Sequence, residues 1–353
     1  MKRRQALKST AGALSSGTVL LAGCLGSEGD DSSQGETTSQ RDLTPVDYMM
    51  INGEADIPIW LSQEDAWAEH GIDINPELTT YDRYSRALYS DGELNLGNIN
   101  LAILNQGYLD DEDLVVFAGN ELETNGVWTR SDSDIEGIGD LDADTRLGVP
   151  FWNSGTTNFA RGMIMEEHGL DIREDIDSTS AEPPVLWELL TEQEELDAIV
   201  EFTGFAYKGL ANPDLVDRIY APEDYIKNEF GVDPFVTMFA SRRKWLEQPE
   251  NAQLAVDFLE GWDLANEQFK QNLDENMEQY GRFAGLDSEA EIELIRELYA
   301  DNQITRASDT WDETYIDAQI GTLEILEKHG LVEEAAPREQ AITHTELLEM
   351  AEQ

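Results

Sequence analysis

The chain has 353 residues, of which 74 are acidic and 23 basic, so its formal net charge at neutral pH is −51. Such a charge excludes nucleic acid as a partner, because phosphates need basic surfaces. Disorder is disfavoured as well, since 40% of the residues are hydrophobic and Trp, Tyr and Phe together number 30. The acidic residues are spread along the whole chain, which is typical of a folded protein from a very salty environment, so we expect a haloarchaeal source.

The amino terminus carries an export and anchoring signal. Arg3 and Arg4 precede a weakly apolar run that ends in Leu-Ala-Gly-Cys at residues 21–24, and Cys24 is the only cysteine. Twin arginines before such a run mark export of folded proteins, and the last four residues resemble the motif that is cut before a cysteine and lipidated there. We predict a signal peptide at 1–23, a lipid anchor on Cys24 and a disordered tether over 24–43. The alternative is an uncleaved basic tail.

Residues 44–125 alternate short apolar runs with amphipathic ones. The pattern predicts strands at 46–51, 72–78, 94–99 and 114–118, and helices at 56–70 and 81–90. Strand–helix alternation of this kind favours an α/β fold with a mostly parallel sheet covered by helices. We assign this stretch to a first lobe.

Residues 126–234 repeat the plan and are assigned to a second lobe. Strands are predicted at 146–149 and 196–201, and helices at 154–168 and around 187–191. The hexapeptide EHGIDI at 69–74 recurs at 167–172 as EHGLDI, an offset of 98. Tryptophans at helical spacings, which we assign to the core, are Trp60, Trp67 and Trp187.

Beyond Pro234 the pattern becomes helical. One more strand at 235–240 precedes predicted helices at about 242–281, 288–302 and 311–329. We expect residues 235–330 to return to the first lobe and add C-terminal helices. The acidic tail at 331–353 is predicted to be a frayed or loosely docked helix.

No residue pattern requires catalysis. His70, His168 and His329 each precede a glycine at the end of a predicted helix, where a cation meets the negative end of the helix dipole and the glycine supplies a left-handed cap. The sequence has no spacing of zinc ligands, no nucleophile elbow and no glycine-rich phosphate loop. We therefore expect a protein that is not an enzyme and uses no metal or cofactor.

Candidate ligand-binding residues lie where predicted strands end. In open α/β sheets, ligands bind outside the carboxyl ends of parallel strands, next to helix amino termini. Four such loops mix aromatic side chains with small hydroxyl and amide groups, which suits a small polar solute. Their candidate residues are Asn52, Glu54, Asp56, Asn98, Asn100, Trp152, Asn153, Ser154, Thr156, Thr157, Glu201, Thr203 and Phe205.

The loop at 153–157 is the strongest of the four. A helix that begins Ser-Gly-Thr-Thr at residue 154 offers backbone N–H groups, hydroxyls and the positive end of the helix dipole to an anion. The alternative is that Ser154, like Asp56 at the equivalent position of the first lobe, only caps its helix.

Together, these segments resemble solute-binding proteins of ABC importers, most closely the nitrate/sulfonate/taurine-type family. The resemblance covers about residues 44–330 and is carried by the order and spacing of its segments. These are 56–74 (DIPIWLSQEDAWAEHGIDI), 87–97 (ALYSDGELNLG), 138–150 (IGDLDADTRLGVP), 154–157 (SGTT) and 196–206 (LDAIVEFTGFA). The chain departs from the family at Asn95, where an aspartate is usual, and in the acidic residues Glu54, Asp56 and Glu201.

The resemblance implies a two-lobed periplasmic-binding-protein fold of type II. Two lobes joined by crossover segments would close on one solute outside the cell membrane and deliver it to a permease driven by an ATPase. We expect a monomer that captures a small anion, such as nitrate, a sulfonate or a carboxylate. The alternatives are a neutral or cationic heterocycle, such as a thiamine-pyrimidine precursor, as the solute, and an extracytoplasmic sensor as the function. A pyrimidine synthase on the same fold is excluded, because its cysteine-rich site cannot be built with one cysteine.

Overall fold

The structure is a computed structural model of the chain. It describes residues 43–51, 57–79, 83, 87–88, 94–152, 154–201, 203–284, 286 and 288–353, all within one structural unit. The predicted signal peptide, the tether up to residue 42 and most of the helix predicted at 81–90 lie outside the described residues.

The first part of the chain alternates strands and helices. Its elements are β1 at Thr44–Ile51, α1 at Ile57–Ser62, α2 at Glu64–Glu69, β2 at Ile72–Thr79, β3 at Leu96–Ile99, α3 at Leu101–Leu109 and β4 at Leu114–Leu122. β1 and β2 pair in parallel, from Thr44 opposite Ile72 to Ile51 opposite Thr79.

The second part forms its own five-stranded sheet in the order β7-β6-β8-β5-β9. Its elements are β5 at Gly126–Arg130, β6 at Arg146–Val149, α4 at Gly155–His168, β7 at Asp177–Ser180, α5 at Pro183–Thr191, β8 at Ala198–Glu201, α6 at Thr203–Leu210, β9 at Val216–Tyr220 and α7 at Pro222–Phe230.

The remaining elements begin with a strand that returns to the first part. They are β10 at Phe235–Arg242, α8 at Arg243–Leu246, α9 at Pro249–Gln271, α10 at Leu273–Tyr280, α11 at Glu289–Ala300, α12 at Glu313–Lys328 and α13 at His344–Ala351. β10 lies between β3 and β4. We call the part built on β1 to β4 and β10 the first lobe, and the part built on β5 to β9 the second lobe.

The α/β fold class is confirmed, but the sheets are mixed where the sequence predicted mostly parallel ones. β6 runs parallel to β7 and β8. β5 is antiparallel to β8 and β9, and β10 is antiparallel to β3 and β4. β5 is the first strand after the chain passes from the first lobe to the second, and β10 is the first strand after the chain returns. Each therefore enters its sheet from the end opposite to that of its neighbours.

Helix α12 follows the first-lobe helices in sequence but packs on two helices of the second lobe, α4 and α7. A Cβ atom on Gly162 of α4 would come within 2.3 Å of Leu326, and one on Gly321 within 2.3 Å of Phe230. The absence of a side chain at both positions therefore allows this close approach.

Two predicted helices are interrupted in the structure. The helix predicted at 56–70 divides at Gln63, whose backbone is not helical, and Glu64 and Asp65 begin a new first turn where acidic side chains are favoured. The helix predicted at 242–281 divides before Pro249, because the residue preceding a proline prefers an extended backbone, and again at Asn272.

The tail at 331–353 is packed, and the prediction of a frayed or loosely docked helix is wrong. The indole N–H of Trp311 donates to the carbonyl oxygen of Ile342 at 2.9 Å. The N–H of Ile342 in turn donates to the carbonyl oxygen of Val116 at 2.9 Å. The N–H of Ala336 donates to the side chain of Asn105 at 2.7 Å, and Leu347 is fully buried. These long-range bonds hold the tail on the first lobe.

The predicted core tryptophans are buried, with Trp60 and Trp67 fully excluded from solvent and Trp187 7% exposed. The glycines that follow His70, His168 and His329 have φ angles of 78°, 69° and 69°, which confirms the predicted left-handed caps. His70 and His329 also lie 3.0 and 2.7 Å from the carboxylates of Glu260 and Glu166.

Candidate functional site

Two helices, one from each lobe, begin side by side. The side chain of Asn100 caps α3 by accepting from the N–H of Ile103 at 3.0 Å. Ser154 caps α4 by accepting from the N–H of Thr157 at 3.1 Å, and its hydroxyl donates to that of Thr157 at 2.9 Å. A Cβ on Gly155 would lie 3.2 Å from Cβ of Ala102, so the two helix starts are in direct contact.

The caps leave four backbone donors at this junction. The first N–H groups of a helix have no acceptor within the helix, and each cap here satisfies only the third position. Among the described residues, no acceptor meets the N–H groups of Leu101 and Ala102 in α3 or of Gly155 and Thr156 in α4. These donors and the positive ends of the two helix dipoles lie at the contact between the two helix starts.

A cavity of about 50 Å³ lies at this junction, which is room for a few water molecules. Its walls come from both helix starts, from the two segments that connect the lobes and from α12. The lining residues are Asn100, Leu101, Ala102, Glu123, Asn125, Gly155, Thr156, Asn158, Phe159, Pro234, Phe235, Val236, Gln319, Thr322, Leu323, Leu326 and Val332.

Glu123 supplies the one charged side chain among these lining residues. It lies between β4 and β5, is 9% exposed, and its Oε1 accepts from the N–H groups of Thr124 and Asn125 at 3.1 and 3.0 Å. Burial, reinforced by the carboxylate of Glu223, raises the pKa of Glu123 to about 8, although Arg218 acts in the opposite direction. At neutral pH the cavity is therefore lined by a largely neutral carboxyl group.

Arg218 of β9 fastens the connection that carries Glu123. Its guanidinium donates to the carboxylate of Glu223 at 2.6 Å and to the carbonyl oxygen of Asn125. It also lies 5.7 Å from the ring centre of Trp128. Burial raises the pKa of Glu223 despite this partner. The first connection between the lobes is thus held from the second lobe by one mostly buried ion pair.

Helix α12 adds neutral polar groups to the cavity. The amide nitrogen of Gln319 donates to the carbonyl oxygen of Phe235 at 3.4 Å, while its amide oxygen is buried and meets no donor in the part of the chain that the structure describes. The hydroxyl of Thr322 donates to the carbonyl oxygen of Ala318 at 2.8 Å.

The structure brings only some of the predicted site residues to the cavity. Asn100 and Thr156 line it, and Ser154 and the fully buried Thr157 form the cap beside it. Asn98 is buried in β3 opposite Phe239.

Three other predicted residues lie away from the cavity lining. Glu201 is fully buried at the end of β8, opposite Gly126. Trp152 lies against two guanidinium groups, 5.1 Å from Arg173 and 6.0 Å from Arg161. Phe205 packs on Trp187 and beneath the ammonium group of Lys208.

The remaining predicted residues cannot be compared in this way. For Thr203 the structure describes only the backbone. The predicted residues outside the described ranges are Arg3, Arg4, Cys24, Asn52, Glu54, Asp56 and Asn153.

Sequence reasoning missed the contributions of the connections and of α12. Glu123 and Asn125 follow a long apolar strand and precede Gly126, the first residue of β5, and nothing in this stretch indicates that the carboxyl of Glu123 is buried. Gln319 and Thr322 lie in a helix whose pattern predicts only packing. No local signal marks either pair as cavity residues.

The described residues form neither a metal-binding cluster nor a membrane-spanning helix. Among those residues, no group of three or more His, Cys, Asp or Glu side chains is arranged to hold a metal ion. None of the helices described above is both long and apolar enough to cross a membrane.

Comparisons with known proteins identify the fold. No family model matches the chain, and no curated protein sequence matches it. Among solved structures, the periplasmic aliphatic sulphonate binding protein SsuA from Escherichia coli is similar with a TM-score of 0.67 and 15% identity, over 84% of this chain and 91% of that one.

Two further structures give the same result. The alkanesulfonate-binding protein SsuA from Xanthomonas axonopodis pv. citri, bound to MOPS, has a TM-score of 0.60 and 14% identity, over 85% of this chain and 98% of that one. The CA3427 gene product of Candida albicans, described as having the generic periplasmic binding protein fold, has a TM-score of 0.57 and 14% identity, over 88% and 96%. The predicted periplasmic-binding-protein fold is confirmed.

Proposed function

We propose that this chain, which has the fold of periplasmic solute-binding proteins, captures a small anionic solute between its lobes for an ABC importer. The observation that carries the proposal is the meeting of two helix amino termini, one from each lobe, at a single cavity. An anion bound to the N–H groups of Leu101, Ala102, Gly155 and Thr156 would be held by both lobes at once. Binding would then favour the closed arrangement, because only that arrangement brings both sets of donors together.

The chemistry of the lining supports an anion. Backbone N–H groups at a helix start, together with the helix dipole, stabilise negative charge without a cationic side chain. None of the lining residues is cationic, and the carboxyl of Glu123 is largely neutral at pH 7. The volume of about 50 Å³ favours a compact anion, such as nitrate, or a short sulfonate or carboxylate.

A cationic heterocycle is the second candidate, and one observation favours it. The carboxyl groups of Glu201 and Glu121 are buried in β8 and β4, and the hydroxyl of Tyr207 donates to Glu121 at 3.3 Å. Buried carboxylates are suitable partners for a cation that enters between the lobes. Neither residue lines the cavity, so the anion is preferred.

The cellular setting belongs to the same proposal. Export by the twin-arginine signal and lipidation of Cys24 would hold the protein at the outer face of the cell membrane, where a permease and its ATPase could take up the solute. An extracytoplasmic ligand sensor remains the alternative to import, and a monomer and a haloarchaeal source remain predictions.

The test is calorimetric titration of the purified protein with nitrate, methanesulfonate, acetate and N-methylpyridinium. Gly155→Pro removes one of the four donors and fills the gap beside Ala102, while the extended backbone of Ser154 tolerates a following proline. We expect this variant to bind nitrate or methanesulfonate at least about tenfold more weakly, a loss of about 1.4 kcal/mol.

The matched control is Glu289→Pro, which also places proline at the first position of a helix after an extended serine cap, in the distant α11. We expect it to bind all probes as the unmodified protein does. Binding of N-methylpyridinium alone, or equal anion affinity in both proline variants, would contradict the assignment.

A further inference from the structure

Glu123 is the one ionisable side chain among the residues that line the cavity where we propose that an anion binds. It lines the same cavity as Asn100, Gly155 and Thr156, and its side chain is 9% exposed. One carboxyl oxygen is fixed by the N–H groups of Thr124 and Asn125. The side chain therefore cannot swing away into solvent without losing both bonds.

The charges that face Glu123 come from two elements of the second lobe. Glu223 of α7 raises its pKa and Arg218 of β9 lowers it, and burial dominates both. Helices α3, α4 and α12 and the segment at 234–236 contribute no charged side chain to the cavity. With a pKa of about 8, Glu123 changes its charge within a range of pH that a folded protein tolerates.

We infer that capture of an anionic solute at this cavity is coupled to the uptake of one proton by Glu123. The inference rests on the proposed function. The ionised carboxylate of Glu123 takes up one proton from solution as the free anion binds, which leaves a neutral carboxyl group beside the bound anion. The O–H bond of that carboxyl group is the only covalent bond formed. Glu123 is in this sense a specificity-determining residue, because its charge decides whether a second negative charge is admitted.

The physical reason is repulsion between two negative charges in one cavity. In a cavity with little water, two negative charges a few ångström apart repel strongly, since the effective dielectric constant is low. The bonds from Thr124 and Asn125 keep the carboxyl of Glu123 in place at the cavity, so an ionised Glu123 repels a solute anion there. A rise in pH therefore ionises Glu123, and the repulsion between its carboxylate and the bound anion releases the solute.

The experiment is calorimetric titration with nitrate and with methanesulfonate between pH 6 and pH 10 at constant ionic strength. For the unmodified protein we expect a constant Kd below about pH 7 and a Kd that rises about tenfold per pH unit above pH 8, as one-proton linkage requires. Titrations in buffers of different ionisation enthalpy should show proton uptake that approaches one per anion at pH 9 to 10.

Glu123→Gln keeps an oxygen that accepts from Thr124 and Asn125 but cannot ionise. We expect it to bind with the low-pH affinity up to pH 10 and to take up no proton. Glu112→Gln, on the first lobe beside Arg242, is the control and should keep the pH dependence of the unmodified protein.

Each outcome separates the two claims. Anion binding that does not vary with pH in the unmodified protein, or an equal pH dependence in Glu123→Gln, would overturn the coupling and leave the proposed function intact. If none of these proteins bound an anion at any pH, both the coupling and the proposed function would be contradicted. Should Glu123→Gln fail to fold, the carboxyl ¹³C shift of Glu123 decides: nitrate must raise its titration midpoint, and an unchanged midpoint overturns the inference.

Discussion

The two lobes share a plan of strands and helices but are stabilised by different physical means. In the first lobe, the ring of Trp60 stacks on those of Tyr48, Trp67 and Trp262 at centroid distances of 4.0, 4.5 and 5.0 Å. In the second lobe, the cluster between the sheet and α4 is aliphatic, with members such as Val127, Leu147, Val149, Ile164 and Val200.

Charge holds the second lobe to its surroundings. Arg218 and Glu223 fasten the connection to the first lobe, and their side chains are only 18% and 14% exposed. Glu166 of α4 pairs with Lys328 and His329 at the end of α12. Stacked rings thus dominate the core around Trp60, whereas the connection beside Arg218 and the contact between α4 and α12 also rely on ion pairs, which are sensitive to pH and salt.

The largest expected effect tests the aromatic core of the first lobe. Trp60→Ala removes a fully buried ring with four stacked aromatic neighbours and should lower the free energy of unfolding by about 3–5 kcal/mol. Urea denaturation at several salt concentrations measures this loss, which should not depend on salt. Trp152→Ala, in the second lobe beside Arg173, is the matched control, with an expected loss of about 1 kcal/mol. Equal losses would end the distinction between the lobes.

A smaller effect is expected at the ion pair that fastens the connection. Arg218→Met leaves Glu223 without its partner and should cost about 3 kcal/mol at pH 8. Because burial raises the pKa of Glu223, that carboxyl becomes neutral as the pH falls, so the loss should shrink on acidification. Lys244→Met, whose side chain is 84% exposed beside Asp113, is the control and should change stability by less than about 0.5 kcal/mol. A loss that grows on acidification would contradict this account.

The smallest effect is expected where α12 meets α4. Hydrogen bonds from Lys328 and His329 lower the pKa of Glu166, so Glu166→Gln should cost about 1 kcal/mol at pH 7. A lowered carboxyl pKa stabilises the fold above the ordinary carboxyl pKa, and this contribution is lost as the pH falls through the lowered value. Urea unfolding at pH 7 and at a pH below the ordinary carboxyl pKa should therefore show the stabilities of the two proteins converging at the lower pH. Glu333→Gln, at an exposed position, is the control and should match the unmodified protein at both pH values. If the loss of stability in Glu166→Gln were the same at both pH values, the ion pairs would be excluded as its cause.

The features that sequence reasoning predicted are those set by neighbours in the chain. The glycines after His70, His168 and His329 adopt left-handed backbones because a helix end needs a residue that tolerates a positive φ, whatever packs above it. The caps at Asn100 and Ser154 follow from side-chain chemistry in the same way. Sequence reasoning placed the helix start at Ser154 by this rule, whereas it named Asn100 only as a loop residue and predicted no helix at Leu101–Leu109.

The features that it could not predict depend on residues far apart in the sequence. The bond from Ala336 to Asn105 joins positions 231 residues apart, and the pKa of Glu123 depends on Arg218 and Glu223 about a hundred residues later. A fully buried carboxyl and a solvated one have the same appearance in a sequence. The cavity therefore emerged only when α12 and the two connections were in place.

The position of α12 has a consequence for the order in which the protein can fold. The elements of the second lobe end at residue 230. Their partners in α12 are synthesised about ninety residues later, when Leu326 packs against Gly162 and Gly321 packs against Phe230. The first lobe is completed still later, because the carbonyl oxygen of Val116 accepts a hydrogen bond from the N–H of Ile342. Neither lobe can reach its final packing while the ribosome is still adding α12, so completion of the fold is a late event that both lobes reach almost together.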